Sequence, residues 1–208
     1  MKDLAASIEQ LRQSELKKIV DSRICEFRRT GSGSCDDIFK ELCFCLLTAN
    51  YSAAGGMKIQ KTIDDGFLTL ERAELARKLQ ELGHRFPNAR AGYICEARKH
   101  KASLKNVIAS YRNEADLREW IVKNVKGLGY KEASHFLRNI GFENLAIIDF
   151  HIIDILERNG MIKRPKTLTR KQYLEIERVL LALAGRLGIS LAELDLYLWY
   201  METGKILK

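Results

Sequence analysis

Residues 125–137 read VKGLGYKEASHFL. Two glycines flank one leucine, and Lys131 follows two positions after Gly129. Glycine reaches backbone angles closed to other residues and lets a second chain approach closely, so Gly127 and Gly129 mark a tight turn. The turn separates two stretches of helical pattern, 114–124 and 130–140. Val125 and Leu128 are placed to pin the two helices together, and small Ala133 lets them pack closely. The second helix starts with free amides at the positive end of its dipole, where an anion such as a DNA phosphate is held well.

A glycine-leucine-glycine turn alone occurs in many helix pairs. Framed by these apolar pins, it matches the helix-hairpin-helix motif of sequence-nonspecific DNA binding, spanning about 114–140. Lys126, Gly127, Leu128 and Gly129 are the residues expected to meet the DNA backbone. Charge points the same way. The chain carries a formal +8, and Arg98–Lys131 holds nine Lys/Arg against three Asp/Glu. Such a stretch attracts phosphate and releases counterions on binding, although a solvated helix face has the same composition.

The rest of the chain reads as all-α. It has 208 residues, 46% hydrophobic, with only two prolines and almost no period-two alternation. Periodicity predicts helices over 3–22, 36–49, 53–64, 71–82, 88–109, 114–124, 130–140, 150–159, 170–187 and 190–202. Thr169 to Gln172 and Ser190 to Glu193 have capping-box form. RRTGSGSC at 28–35 reads as a flexible linker. No run approaches the ~18 apolar residues of a membrane span, and the charged N-terminus does not resemble a signal peptide. The five cysteines are odd in number and irregularly spaced, which argues against a disulfide framework or a metal cluster and for buried thiols in a reducing cytoplasm. His135 and His151 read as structural or DNA-proximal.

Lys131 raises a chemical possibility. A lysine near a helix N-terminus has its positive charge disfavoured by the dipole, and partial burial adds to this. A neutral amine can attack a carbon electrophile and form a Schiff base. A phosphate-binding lysine is the plainer reading. LAIID at 145–149 then ends an apolar run in a carboxylate. Asp149 is placed to cap the helix that follows. It could also face Lys131 across a cleft, assist its deprotonation and stabilise positive charge developing on a sugar.

VKGLGYKEASHFLRNIGFENLAIID, with LCFCLLTANYSAAGG upstream and LDLYLWYMETGKILK at the end, resembles the archaeal-type 8-oxoguanine DNA glycosylase/AP lyases of the helix-hairpin-helix superfamily. The resemblance runs through nearly the whole chain. It implies that Lys131 is the nucleophile and Asp149 the catalytic aspartate. It implies a base pocket formed with Trp199, Phe86 and the terminal carboxylate of Lys208, and that Asn50 probes the space left by an extruded nucleotide. Trp199 and Phe86 could equally be core aromatics. The family pattern has a basic residue after the aspartate, where this chain has Phe150. The chain also lacks the C-terminal cysteine cluster of related iron–sulfur pyrimidine glycosylases.

The resemblance further implies a two-lobed fold. A helical barrel over 33–143 would carry the hairpin, a second lobe would be built from 1–32 and 144–208, and the active site would lie in the cleft between them. The expected partner is double-stranded DNA containing oxidised guanine, handled by a monomer without cofactor or metal. A non-catalytic DNA-binding module and a glycosylase for another lesion are the alternatives.

Overall fold

The apolar stripes become buried helix faces. The computed structural model describes residues 4–208, so residue 3, where the first helix is expected to begin, lies outside them. The α-helices are α1 (Leu4–Arg12), α2 (Leu16–Ser32), α3 (Cys35–Thr48), α4 (Ala53–Ile63), α5 (Gly66–Thr69), α6 (Arg72–Glu81) and α7 (Pro87–Ala97). After a 3-10 turn over Arg98–Ser103 come α8 (Leu104–Ser110), α9 (Glu114–Asn124), α10 (Tyr130–Asn139), α11 (Phe150–Arg158), α12 (Arg170–Leu187) and α13 (Leu191–Thr203). No strand occurs among the described residues.

Two separate apolar cores form. The larger gathers residues between Ile38 and Leu145 around α3, whose Leu42, Phe44, Leu46 and Leu47 are fully buried. The smaller joins the N-terminal helices to the C-terminal ones, with Ile8, Val20, Phe27, Ile152, Leu156 and Tyr197 at its centre. Helix α2 packs against α13 and also against α3 and α10, so it tethers one core to the other.

Three sequence expectations need correction. The first predicted helix is broken in two. Ser14 Oγ donates to the Leu11 carbonyl and accepts from the Leu16 N–H, replacing backbone helix bonds with side-chain ones. The long helix expected over 88–109 is interrupted by the 3-10 turn. There Arg98 reaches back to donate to the carbonyls of Phe67 and Leu70.

The third correction concerns RRTGSGSC. Most of this stretch is the last turn of α2, not a linker. Thr30 Oγ1 donates to Glu26 O and Ser32 Oγ to Arg28 O, bonds that keep small polar residues within a helix. Gly31 lies where α2 crosses the end of α10, and a Cβ there would stand 2.0 Å from the Ile140 carbonyl oxygen. Backbone cannot yield as a side-chain tip can. Gly31→Ala is expected to cost about 1–3 kcal/mol of stability by overpacking. Chemical denaturation measures it, and an unchanged midpoint would contradict this reading of the crossing.

Two compositional inferences also change. Only Cys43 and Cys45 are buried, and burial raises both thiols; Cys25 is exposed. The basic stretch also offers less free charge than its count implies. Arg118 is buried, Arg98 is spent on carbonyls, and Lys101 pairs with Asp36.

Candidate active site

The hairpin builds the site from its turn. Leu117, Ile121 and Val125 bury one face of α9 and its exit, and Leu128, Ala133, Phe136 and Leu137 continue the same core. Gly127 sits at φ +96, and a Cβ there would meet the Tyr93 ring at 2.4 Å. Left-handed geometry and a close aromatic neighbour both demand glycine. Gly129 is different: its backbone is extended, and its N–H donates to Glu132 Oε2 at 3.3 Å. Lys126 extends from the turn, mostly exposed, 3.8 Å from Glu96.

This arrangement fixes Lys131 in the first turn of α10. Its side chain lines a pocket between the two cores, together with Thr48, Tyr51, His135, Arg138, Asp149 and Trp199. Asp195, Leu207 and Lys208 line the same pocket. The amine is paired with Glu132 Oε1 at 3.1 Å. Sequence reasoning passed over Glu132, although the S/T/G-x-x-E form of a helix start was there to be read.

Asp149 caps α11, accepting the Ile152 N–H at 3.0 Å through Oδ1. The cap uses one carboxylate oxygen, and the residue also lines the pocket. The segment before it is held from both sides by α12. Glu177 accepts the Ala146 N–H at 2.9 Å, and Tyr173 OH donates to the Ala146 carbonyl at 2.7 Å. Glu177 also receives Arg118 of α9 in two bonds of 2.6 and 2.8 Å, while Arg118 donates to Ser134 of α10 at 3.1 Å. One buried staple thus ties the helices that carry Lys131 to the chain that carries Asp149.

The pocket floor alternates in charge. Arg138 pairs with Asp195 and donates to Asn139 Oδ1. Burial pushes the Asp195 carboxyl up to about 6, against the pull of Arg138 and with a further push from Asp149. His135 is buried, and that burial, reinforced by Arg138 and Lys131, holds its imidazole well below its usual range. A neutral ring results, facing the main-chain oxygen of Lys208.

The other sequence candidates are distributed unevenly. Trp199 lines the pocket, stands edge-on to His151, and has a buried indole N–H without a protein acceptor. Lys208 also lines it. Asn50 is exposed between α3 and α4 at φ +58, a left-handed conformation that asparagine tolerates better than most residues. Phe86 does not line this pocket. It is exposed at the start of α7, with the Arg85 guanidinium 4.9 Å above its ring. Phe150 is 63% exposed and lies against His151.

An all-helical fold in which a helix-hairpin-helix delivers a lysine into a pocket between two cores, opposite a helix-capping aspartate, is that of the helix-hairpin-helix DNA glycosylases. A family model described as 8-oxoguanine DNA glycosylase matches residues 20–189. The chain is 55% identical over 207 residues to the 8-oxoguanine DNA glycosylase/AP lyase of Korarchaeum cryptofilum, covering 99% of this chain and 98% of the relative. It superposes on the Methanocaldococcus jannaschii 8-oxoguanine glycosylase/lyase, solved with a 15mer DNA containing 8-oxoguanine, with a TM-score of 0.96. That pair shares 53% identity over 99% of each chain. The 8-oxoguanine DNA glycosylase of Thermotoga maritima gives a TM-score of 0.93 at 46% identity, covering 100% of this chain and 99% of the other. The chain belongs to the 8-oxoguanine DNA glycosylase family.

Proposed function

We propose that this protein removes 8-oxoguanine from duplex DNA and then cleaves the abasic strand by β-elimination through a Schiff base on Lys131. The observation that carries this reading is the meeting of Lys131 and Asp149 in one pocket, with Trp199 and Lys208 on its walls. Neither DNA binding alone nor helix capping alone requires that meeting. The division into a barrel over 33–143 and a second lobe over 1–32 and 144–208 is supported by the two cores.

The hairpin turn and basic surface hold the phosphate backbone, and the damaged nucleotide is turned out of the stack, because its sugar carbon cannot be attacked inside it. Asn50, held in its left-handed turn, enters the space left behind. The Lys131 amine, once it has given up its proton, attacks C1′, and the glycosidic electrons leave with the base, which takes up a proton. The sugar ring opens as the amine nitrogen becomes a protonated imine. Loss of a proton from C2′ then expels the 3′ phosphate, with the imine as electron sink. Asp149 stabilises the positive charge that grows on the sugar before the new bond forms. Trp199 offers the oxidised base an aromatic wall. The Lys208 carboxylate, as an acceptor opposite N7–H, favours 8-oxoguanine over guanine, whose N7 lone pair it would repel.

The chain acts as a monomer on nucleoid DNA in the cytoplasm. No helix among the described residues is long and apolar enough to cross a membrane.

The test is borohydride trapping on duplexes carrying one lesion each. A covalent adduct and a nicked strand with 8-oxoguanine support the reading. Adduct only with another lesion would reassign the substrate, and DNA binding with no adduct would leave a binding module. Asp149→Asn should slow base removal by about 10²–10⁴-fold. Asparagine caps helices as well as aspartate does, so the melting temperature should hardly move. A rate within a few-fold of wild type would remove Asp149 from the chemistry.

A further inference from the structure

Glu41 is a carboxylate in the larger core, only 5% exposed, and the steps above give it nothing to do. A buried carboxylate is retained at a cost, so its partners matter. Oε1 accepts from Asn139 Nδ2 at 2.7 Å. Oε2 accepts from Lys208 Nζ at 2.7 Å and from Gln60 Nε2 at 3.2 Å. Gln60 Oε1 takes a second bond from the same ammonium at 2.5 Å, and the Lys208 cation lies 4.4 Å over the Phe44 ring. The buried ring of His135, meanwhile, faces the main-chain oxygen of Lys208, which at this residue belongs to the carboxylate itself.

The last residue of the chain is therefore held at two points. Its side chain is plugged into α3 and α4, and its carboxylate meets His135 of α10, although it arrives from α13 in the smaller core. Side-chain ammonium and terminal carboxylate belong to one residue, so fixing the first fixes the second against the pocket. Asn139 carries the fixation onward, because its Oδ1 accepts from Arg138, whose guanidinium pairs with Asp195. A chain of bonds thus runs from Lys208 through Glu41, Asn139 and Arg138 to Asp195, and of these Lys208, Arg138 and Asp195 line the pocket.

We infer that Glu41 and Gln60 are positioning residues for lesion selectivity: they clamp the Lys208 ammonium so that the terminal carboxylate stands as a fixed wall of the base pocket. The inference rests on the base-pocket reading given above. A clamp of this kind has a signature that simple tail-pinning lacks. It governs removal of the modified base, where the wall must meet N7–H. Strand cleavage at a ready-made abasic site presents no base to read.

The experiment compares two single-turnover rates, 8-oxoguanine excision and cleavage of a preformed abasic site, in wild type, Glu41→Gln and Lys208→Met. Lys208→Met keeps the terminal carboxylate and the aliphatic contact with Phe44 but removes the plug. It also strands the buried Glu41 carboxylate, so the double variant Glu41→Gln with Lys208→Met, which leaves no unpaired charge, is measured beside it. The ratio of excision to abasic cleavage is expected to fall on the order of tenfold in each variant, the loss typical of a misplaced hydrogen-bond partner. A ratio within about twofold of wild type in Lys208→Met, or an equal fall in both rates, overturns the clamp and leaves a structural tether. Failure of wild type itself to prefer 8-oxoguanine over guanine overturns the base-pocket reading, and the clamp with it.

Discussion

Lys131→Gln is expected to abolish the borohydride adduct and to lower strand cleavage by about 10³-fold or more, because the variant has no amine to form the imine. Glutamine is similar in length and uncharged, and it suits an early helical position. The residue lies in the first turn of α10, and its side chain lines the pocket. Removal of one cation should also cost little binding beside many phosphate contacts. The expected set of results is therefore no adduct, nearly unchanged affinity for 8-oxoguanine duplex, and a melting temperature close to wild type. Gel-shift, trapping and thermal-melting measurements on one preparation supply all three. Persistent trapping in the variant would move the nucleophile elsewhere. Loss of binding together with loss of trapping would return Lys131 to the role of a phosphate contact. Glu132 makes the comparison sharper. It holds the resting amine at 3.1 Å, and in Lys131→Gln it can keep its hydrogen bond from the Gly129 N–H, so the helix start survives.

Glu177→Ala should be the most damaging single change to stability among those considered. Arg118 is 1% exposed at its side chain and Glu177 14%. Removing the carboxylate strands a buried guanidinium and leaves the Ala146 N–H without its acceptor. Breaking a buried pair from one side costs about 3–5 kcal/mol. The double change Arg118→Met with Glu177→Leu should cost less, since it leaves no unpaired charge. Urea denaturation of both variants checks the order, and a Glu177→Ala loss under about 1 kcal/mol would contradict it. Activity should fall as well, because the staple fixes the chain leading to Asp149 relative to the helix pair leading to Lys131. This is how a residue that does not line the pocket, on α12, reaches the chemistry.

Much of this was written locally in the chain. Thr169 and Ser190 do cap their helices through reciprocal bonds with Gln172 and Glu193, because a capping box depends on four consecutive residues and little else. Asp149 was legible as a cap for the same reason. Gly127 was legible because its turn closes within five residues. The GSGS stretch was misread, because small polar residues suit a linker and a tight helix crossing equally well. What separates the two is Ile140, more than a hundred positions away. Glu41 and Glu177 were passed over for a related reason, whereas Glu132 stood in a readable G-x-x-E helix start. A lone glutamate carries no spacing signal of its own, and its importance arises from what is folded against it.

By itself the sequence determined the helical class, the hairpin with its glycine turn and the caps, while the proposed roles of Lys131 and Asp149 came from resemblance to a family. The class, the hairpin and the caps follow from interactions between neighbours a few positions apart. The tertiary structure alone decided that Lys131 and Asp149 share one pocket, that Phe86 lies outside it, that Arg118 serves as a staple and not as a DNA contact, and that the last residue is anchored to Glu41. Those outcomes depend on long-range burial, where a charge removed from water must find its counterpart on another helix, and no local pattern encodes which one it will be.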